Sequence, residues 1–291
     1  MKKILLLVIF FTFNFALLPS RVIAPNSEDL IFISVTDSII EGGFGFVRAT
    51  SISPIEDTLK VVLSFNKEDT FNLFSGIDKY NWIRKIPSPI GFDSSFFQVE
   101  VFSHKISTIF NVKIVKKTWQ QVDWSKKRLK YQTAKLDSAQ KVDSVKILLN
   151  SFKPDVKAFL GNLGVPMEIE LFVTDEFGVK RKTNESTRIH KGVDYRAPIG
   201  TPVFATQKGK VVIARYSPHF GNTIMIKHGG DVETTYLHLS EFAVSEGDSV
   251  ELGCLIGYSG ATGNVTGAHL HYGTRLCKIP ISPDSFKSTS N

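Results

Sequence analysis

A chain of 291 residues, 42% hydrophobic and 22% charged, is long enough for one to three domains, and two is the natural expectation; the composition excludes long disorder. The formal net charge of +7 favours anionic surfaces such as nucleic acid, lipid headgroups or wall polymers. The basic residues are dispersed, however, and their one dense run, Lys126-Lys127-Arg128, reads as a solvated face, so nucleic acid is not the expected partner.

The chain opens on Lys2 and Lys3, followed by an apolar run from Ile4 to Leu18 and the permissive residues Val22-Ile23-Ala24. This three-part pattern predicts a secretory signal peptide over 1–24, cleaved after Ala24. The apolar run is shorter than the roughly 20 residues that span a bilayer comfortably, so no stable membrane anchor is expected after cleavage. The product is expected to be exported, to the periplasm or to the cell envelope and beyond. Two cysteines, Cys254 and Cys277, fit either one disulfide or two buried thiols.

Residues 25–116 read as a small β-sandwich-like domain. Leu59 to Phe65, Phe97 to Phe102 and Thr108 to Val115 are rich in β-branched and aromatic residues, and Gly, Pro, Asp and Ser clusters separate them. Its one histidine, His104, reads as surface or packing. Residues 117–166 predict a short helical connector. Trp119 and Trp124 lead into it; Val142, Val145, Leu148 and Leu149 recur at helical spacing, and Val156, Phe159 and Leu160 continue a second helix. Residues 167–291 return to glycine-rich β structure, with strands expected at Pro202 to Thr206, Lys210 to Arg215, Thr223 to Lys227, Val232 to Leu239 and His269 to Leu276. The fold class is therefore mostly β, ending in an antiparallel sheet.

Six of the seven histidines follow residue 189, in an otherwise unremarkable composition. His269 and His271, two apart on a strand, project from one face. His190 and Asp194, in HKGVD, add an imidazole and a carboxylate on a loop or strand edge. Two imidazoles and an aspartate suit zinc with an open position for water; iron held by two histidines and one carboxylate is the rival. Either histidine of the HLH pair completes the set on spacing alone. His238, in YLHL, is expected on the face of Tyr236. With the free member of the pair it can supply a general base and an oxyanion clamp. Tyr236 itself either donates near that oxyanion or is buried and satisfied by backbone. His228 reads as a hydrogen-bonded support and His219 as an exposed loop residue. The loop Ser259 to Gly267 lacks the Gly-Lys-Ser/Thr ending of a nucleotide loop and reads as turns bordering a cleft.

FGVKR (Phe177 to Arg181), HKGVDYRAPIGTPVFATQKGKVV (His190 to Val212), GNTIMIKHGG (Gly221 to Gly230), TYLHLS (Thr235 to Ser240) and EGDSVELGCLIGYSGATGNVTGAHLHYG (Glu246 to Gly273) occur in one order. Together, from Phe177 to Phe286, they resemble the lysostaphin/LytM-type zinc endopeptidases. The resemblance implies one zinc ion per chain on His190, Asp194 and His271, with His238 and His269 as catalytic non-ligands. It implies cleavage of peptide links in peptidoglycan, in cross-links or stem peptides. The β-rich segment before it more weakly resembles domains that precede this module in some secreted relatives. A non-catalytic peptidoglycan-binding or hydrolase-activating protein using the same cleft is the alternative. A latent form covered by the N-terminal half or the connector is a third expectation.

Overall fold

The computed structural model describes residues 20–26, 29–51, 59–72, 74–75, 80–103, 106–125, 159, 161–184 and 186–287. Among these, nearly all regular structure is strand, and the only helical segment is the 3-10 turn Pro283–Phe286. The mostly-β reading holds.

The N-terminal half folds into two five-stranded sheets. One runs Ser20–Asn26, Asp29–Val35, Phe44–Ser51, Asn81–Pro87, Phe74–Ser75; the other runs Ser38–Ile40, Ser107–Val115, Phe96–Phe102, Lys60–Leu63, Asn66–Asn72. Period-two alternation drives the packing. In Ser107–Val115 every second residue is buried, which turns Phe110 and Val112 inward opposite Val99 and Phe97 of the paired strand, with Ile114 beyond them and Thr108 opposite Val101. The apolar side chains among these meet Ile31, Ile33, Val35 and Val47 of the first sheet in one apolar cluster, so the sheets close on each other as a sandwich. The strand Ser20–Asn26 pairs with Asp29–Val35 across the cleavage point expected after Ala24.

The connector differs from expectation where it is described. The helices expected around Val142 to Leu149 and Val156 to Leu160 lie outside the described residues, apart from Phe159, as do His104 and the Lys126–Arg128 run. Residues 117–125 are extended rather than helical, with strand Gln121–Asp123 parallel to Lys180–Lys182. The physical reason is an open sheet edge there, which offers this stretch backbone partners a helix would forgo.

The C-terminal part is built on an eight-stranded sheet. Its order is Val173–Asp175, Val193–Arg196, His269–Leu276, Val232–Leu239, Gly221–Gly229, Gly209–Ser217, Ser249–Val250, with Ile279–Ile281 added beside His269–Leu276. All its pairings are antiparallel. Every residue of the central strand Val232–Leu239 is buried. Tyr236 and Tyr272 oppose each other on its core face with ring centroids 5.4 Å apart. Truncating a fully buried aliphatic side chain here, such as Ile224, costs about 2–5 kcal/mol.

The two halves share a core. Val232, Leu276, Cys277, Ile281 and Phe286 belong to the same apolar cluster as the sandwich. Within it Arg84 forms a fully buried ion pair with Asp231 and donates to Cys277 Sγ at 3.0 Å. A second seam forms around Glu41, which accepts from Gly91 N at 2.9 Å and from Trp119 Nε1 at 3.0 Å. Trp119 packs so closely on Gly178, at φ +87°, that a Cβ there would lie 2.1 Å from the indole. Both cysteines are free thiols, Cys277 buried and Cys254 partly so.

Candidate functional site

Four strands and loops bring the expected residues together. In the register of Val193–Arg196 against His269–Leu276, Asp194 sits opposite His271 and Arg196 opposite His269. Alternation along that second strand then turns His269 and His271 to the same side, into one cleft. His190 follows the short strand Thr187–Ile189 and meets Asp194 from the turn at Lys191-Gly192. Only glycine fits at 192: a Cβ would approach His271 Nε2 to 2.5 Å.

The donor atoms of His190, Asp194 and His271 all lie within 4.8 Å of one another. Asp194 Oδ1 is 3.1 Å from His190 Nε2 and 2.7 Å from His271 Nδ1, and the two ring nitrogens are 3.1 Å apart. His190 Nδ1 lies 2.8 Å from the Glu176 carbonyl. A carbonyl only accepts, so that nitrogen carries the proton, and in the neutral ring Nε2 presents a lone pair to a carboxylate oxygen. Two acceptors facing each other at hydrogen-bond distance require a cation or a proton between them. A tetrahedral zinc with bonds of about 2.0–2.1 Å holds its donors about 3.4 Å apart, close to this spacing. The donor set therefore fits the ion.

Arg181 completes the carboxylate's environment. Its Nη2 donates to Asp194 Oδ2 at 2.7 Å and its Nε to Asp175 Oδ2 at 2.8 Å. One oxygen of Asp194 is thus tied back while the other faces the histidines, the outer-shell arrangement that orients metal ligands. Burial pushes the Asp194 carboxyl up, but hydrogen bonds and charge from His190 and His271 outweigh it and hold the group well below the usual carboxylate range. Burial drives His271 down to about 4 against the pull of Asp194.

His238 and His269 stand beside this cluster, ring centroids 4.9 Å apart, with His238 6.2 Å from His271. His238 Nδ1 lies 2.9 Å from the Thr262 carbonyl and His269 Nδ1 2.9 Å from that of Gly267. Each carbonyl fixes the proton on Nδ1 and leaves Nε2 unprotonated in the neutral ring; that of His269 lies 3.8 Å from Asp194 Oδ1. Burial, reinforced by His269 and His271, holds His238 well below the ordinary imidazole value.

One expectation is corrected. His238 does not share the face of Tyr236. His238 has φ +63°, and the pairing with Gly221–Gly229 shifts register between Ile224↔Tyr236 and Asn222↔Leu239. That irregularity breaks the two-residue alternation and turns His238 into the cleft. Tyr236 is buried on the opposite side, its hydroxyl accepting from Thr206 N at 3.0 Å and lying 2.9 Å from Thr206 Oγ1. Of the two roles open to Tyr236, the buried one is observed. His228 is held between the Lys208 carbonyl and Thr234 Oγ1, at 2.9 and 2.7 Å, as a support. His219, expected to be exposed, is half-buried in the turn before Phe220, with their rings 4.9 Å apart.

Sequence reading missed Arg181, Asp175 and Trp124. Arg181 stood inside a quoted motif without a role. Trp124 lies beneath its guanidinium, 4.4 Å from Cζ to ring centroid, and no local pattern ties it to the cleft.

Residues 188–283 match Peptidase family M23, and the resemblance read from the motifs is borne out over that segment. The peptidoglycan DD-endopeptidase ShyA of Vibrio cholerae is 42% identical over 109 residues, covering 37% of this chain and 25% of that protein. The DD-carboxypeptidase/endopeptidase Mpg of Neisseria meningitidis is 46% identical over 98 residues, 34% of this chain and 23% of that protein. The matched segment thus spans about a quarter of the length of these relatives. A crystal structure described as a peptidase M23 from Pseudomonas aeruginosa shares the fold over 85% of this chain and 93% of that one, with a TM-score of 0.56 and 19% identity.

Proposed function

We propose that this protein is an exported zinc-dependent endopeptidase that hydrolyses peptide bonds in peptidoglycan. The observation that carries the reading is the convergence of His190, Asp194 and His271 on one point, in a domain of a peptidase family, with two further imidazoles beside it. His190 Nε2, Asp194 Oδ1 and His271 Nδ1 would hold one zinc ion. When bound, it supplies Lewis acidity toward a carbonyl and acidifies water. The same donor set would serve iron, and the hydrolytic family is what favours zinc.

The chain's own groups do the rest. Arg181 keeps Asp194 from swinging away from the two histidines. His238 and His269, tethered through Nδ1–H, line the cleft with Nε2 left unprotonated, that of His269 beside the ligand cluster at 3.8 Å from Asp194 Oδ1. A neutral ring there takes up a proton as a general base. The same ring, once protonated, donates toward the negative charge that develops on a tetrahedral carbon's oxygen. An extended peptide fits between the loop ending at Ala268 on one side and the Thr174–Asp175 edge on the other. The relatives' names place their substrate in peptidoglycan, and the apolar run from Ile4 to Leu18 after Lys2 and Lys3 supports export of this chain to the same side of the membrane.

The test is release of soluble fragments from purified sacculi, followed by mass spectrometry of the products. Release that stops with chelator and returns with zinc is expected, each fragment carrying a newly exposed peptide terminus. Binding to sacculi without release, indifferent to chelator, contradicts the reading and leaves a wall-binding protein.

A further inference from the structure

The cleft has two walls of different origin. Asn264 to His269 form one, within the segment that matches the peptidase family. Trp124, Thr174, Asp175 and Arg181 form the other, and all four lie upstream of residue 188, where that match begins. The chemistry-bearing floor therefore lies within the family match, whereas the other side of the groove lies upstream of it, with Arg181 in a motif that still resembles the family and Trp124 outside it.

Trp124 is the outermost contributor in sequence. It reaches the cleft because Gln121–Asp123 joins the edge of Lys180–Lys182 in register, Val122 opposite Arg181. Its amide donates to the Lys182 carbonyl at 2.6 Å. The guanidinium of Arg181 stacks on the indole. Upstream, Trp119 is pinned by Glu41 and Gly178, so the strap is fixed at both ends of the strand. Half-buried, the indole is the one rigid apolar surface on this wall, beside Thr174, Asp175 and Arg181, and faces a cleft whose other wall carries Val265 and Ala268. Arg181 is already occupied by Asp175 and Asp194, so it offers no open carboxylate site. What remains for recognition on this wall is the aromatic surface. It suits the small aliphatic side chains of an extended peptide.

We infer that Trp124 is a substrate-contacting specificity residue, on which the peptide flanking the scissile bond packs. The inference rests on the endopeptidase reading above. Its interaction is made alike in ground state and transition state, so its loss appears in KM.

The experiment uses the full chain loaded with zinc and two substrates, a cross-linked muropeptide dimer and the same cross-linked peptide without sugars. Trp124→Ala is expected to raise KM about tenfold on both, with kcat within about twofold and zinc content unchanged. Trp124→Phe, which keeps an aromatic face, is expected to restore most of the loss. An unchanged KM overturns the inference. So does a KM effect confined to the sugar-bearing dimer, because the indole then reads glycan. Parallel loss of zinc and kcat also overturns it, because Trp124 then only props Arg181. Failure of the unsubstituted protein to cut either dimer would instead strike the endopeptidase reading.

Discussion

The paired strands Val232–Leu239 and His269–Leu276 serve opposite purposes at their two ends. At one end Val232, Leu276 and Cys277 sink into the core shared with the N-terminal sandwich, and Asp231 is locked to Arg84. At the other end, about 20 Å away at strand rise, stand His238, His269 and His271. At the seam Arg84 and Asp231 are taken up by each other. At the cleft His190, His238 and His269 are each tethered to a backbone carbonyl through Nδ1, which leaves Nε2 for chemistry. One sheet thus separates what fixes the fold from what acts on a substrate. The sandwich is anchored at the end remote from the cleft, and among the described residues the lining of the cleft begins at Trp124, downstream of the sandwich.

Substitutions at the two ends should therefore part activity from stability. The largest effect is expected at the cleft. His238→Ala and His269→Ala should each lower kcat by about 10²–10⁴, with zinc retained and the melting midpoint almost unmoved. Loss of zinc in either would make that residue a ligand. At the seam the result inverts. Arg84→Ala leaves Asp231 buried without its partner and should cost about 3–5 kcal/mol in denaturant unfolding, while kcat of the folded protein stays near normal.

A smaller effect sharpens the contrast through pH. Burial raises the Glu41 carboxyl, but the amides of Gly91 and Lys117 and the indole of Trp119 outweigh it, and its pKa falls below the ordinary 4.5. A depressed acid contributes stability that is fully present above the unfolded value and is lost as pH falls through the folded one. Glu41→Gln should cost about 1–3 kcal/mol at pH 7, and its deficit against the unsubstituted protein should shrink as pH drops below 4.5. A deficit independent of pH between 7 and 3 would show that the charge plays no part in the seam.

Much of the site was legible in the sequence because strand periodicity is local. His269 and His271 share a side for the reason that any two such residues do, and HKGVD keeps its histidine and aspartate four apart around a glycine that the fold requires. Which of the HLH pair joins His190 was not readable from spacing, since both point the same way. His238 misled because one residue in the left-handed region overrides alternation, and no neighbour in YLHL signals it. The strand Gln121–Asp123 was hidden for a different reason: its partner edge is tertiary, and a lone Val122 carries too little pattern. Arg84 and Asp231 are 147 residues apart, so no local pattern links them before folding buries them together.

The most direct test of the central claim is the metal content of purified His271→Ala beside that of the unsubstituted chain, each assayed on sacculi. One zinc per chain is expected in the unsubstituted protein, and none, with no release of soluble fragments, in the variant. A variant that keeps both its zinc and its digestion of sacculi would contradict the account.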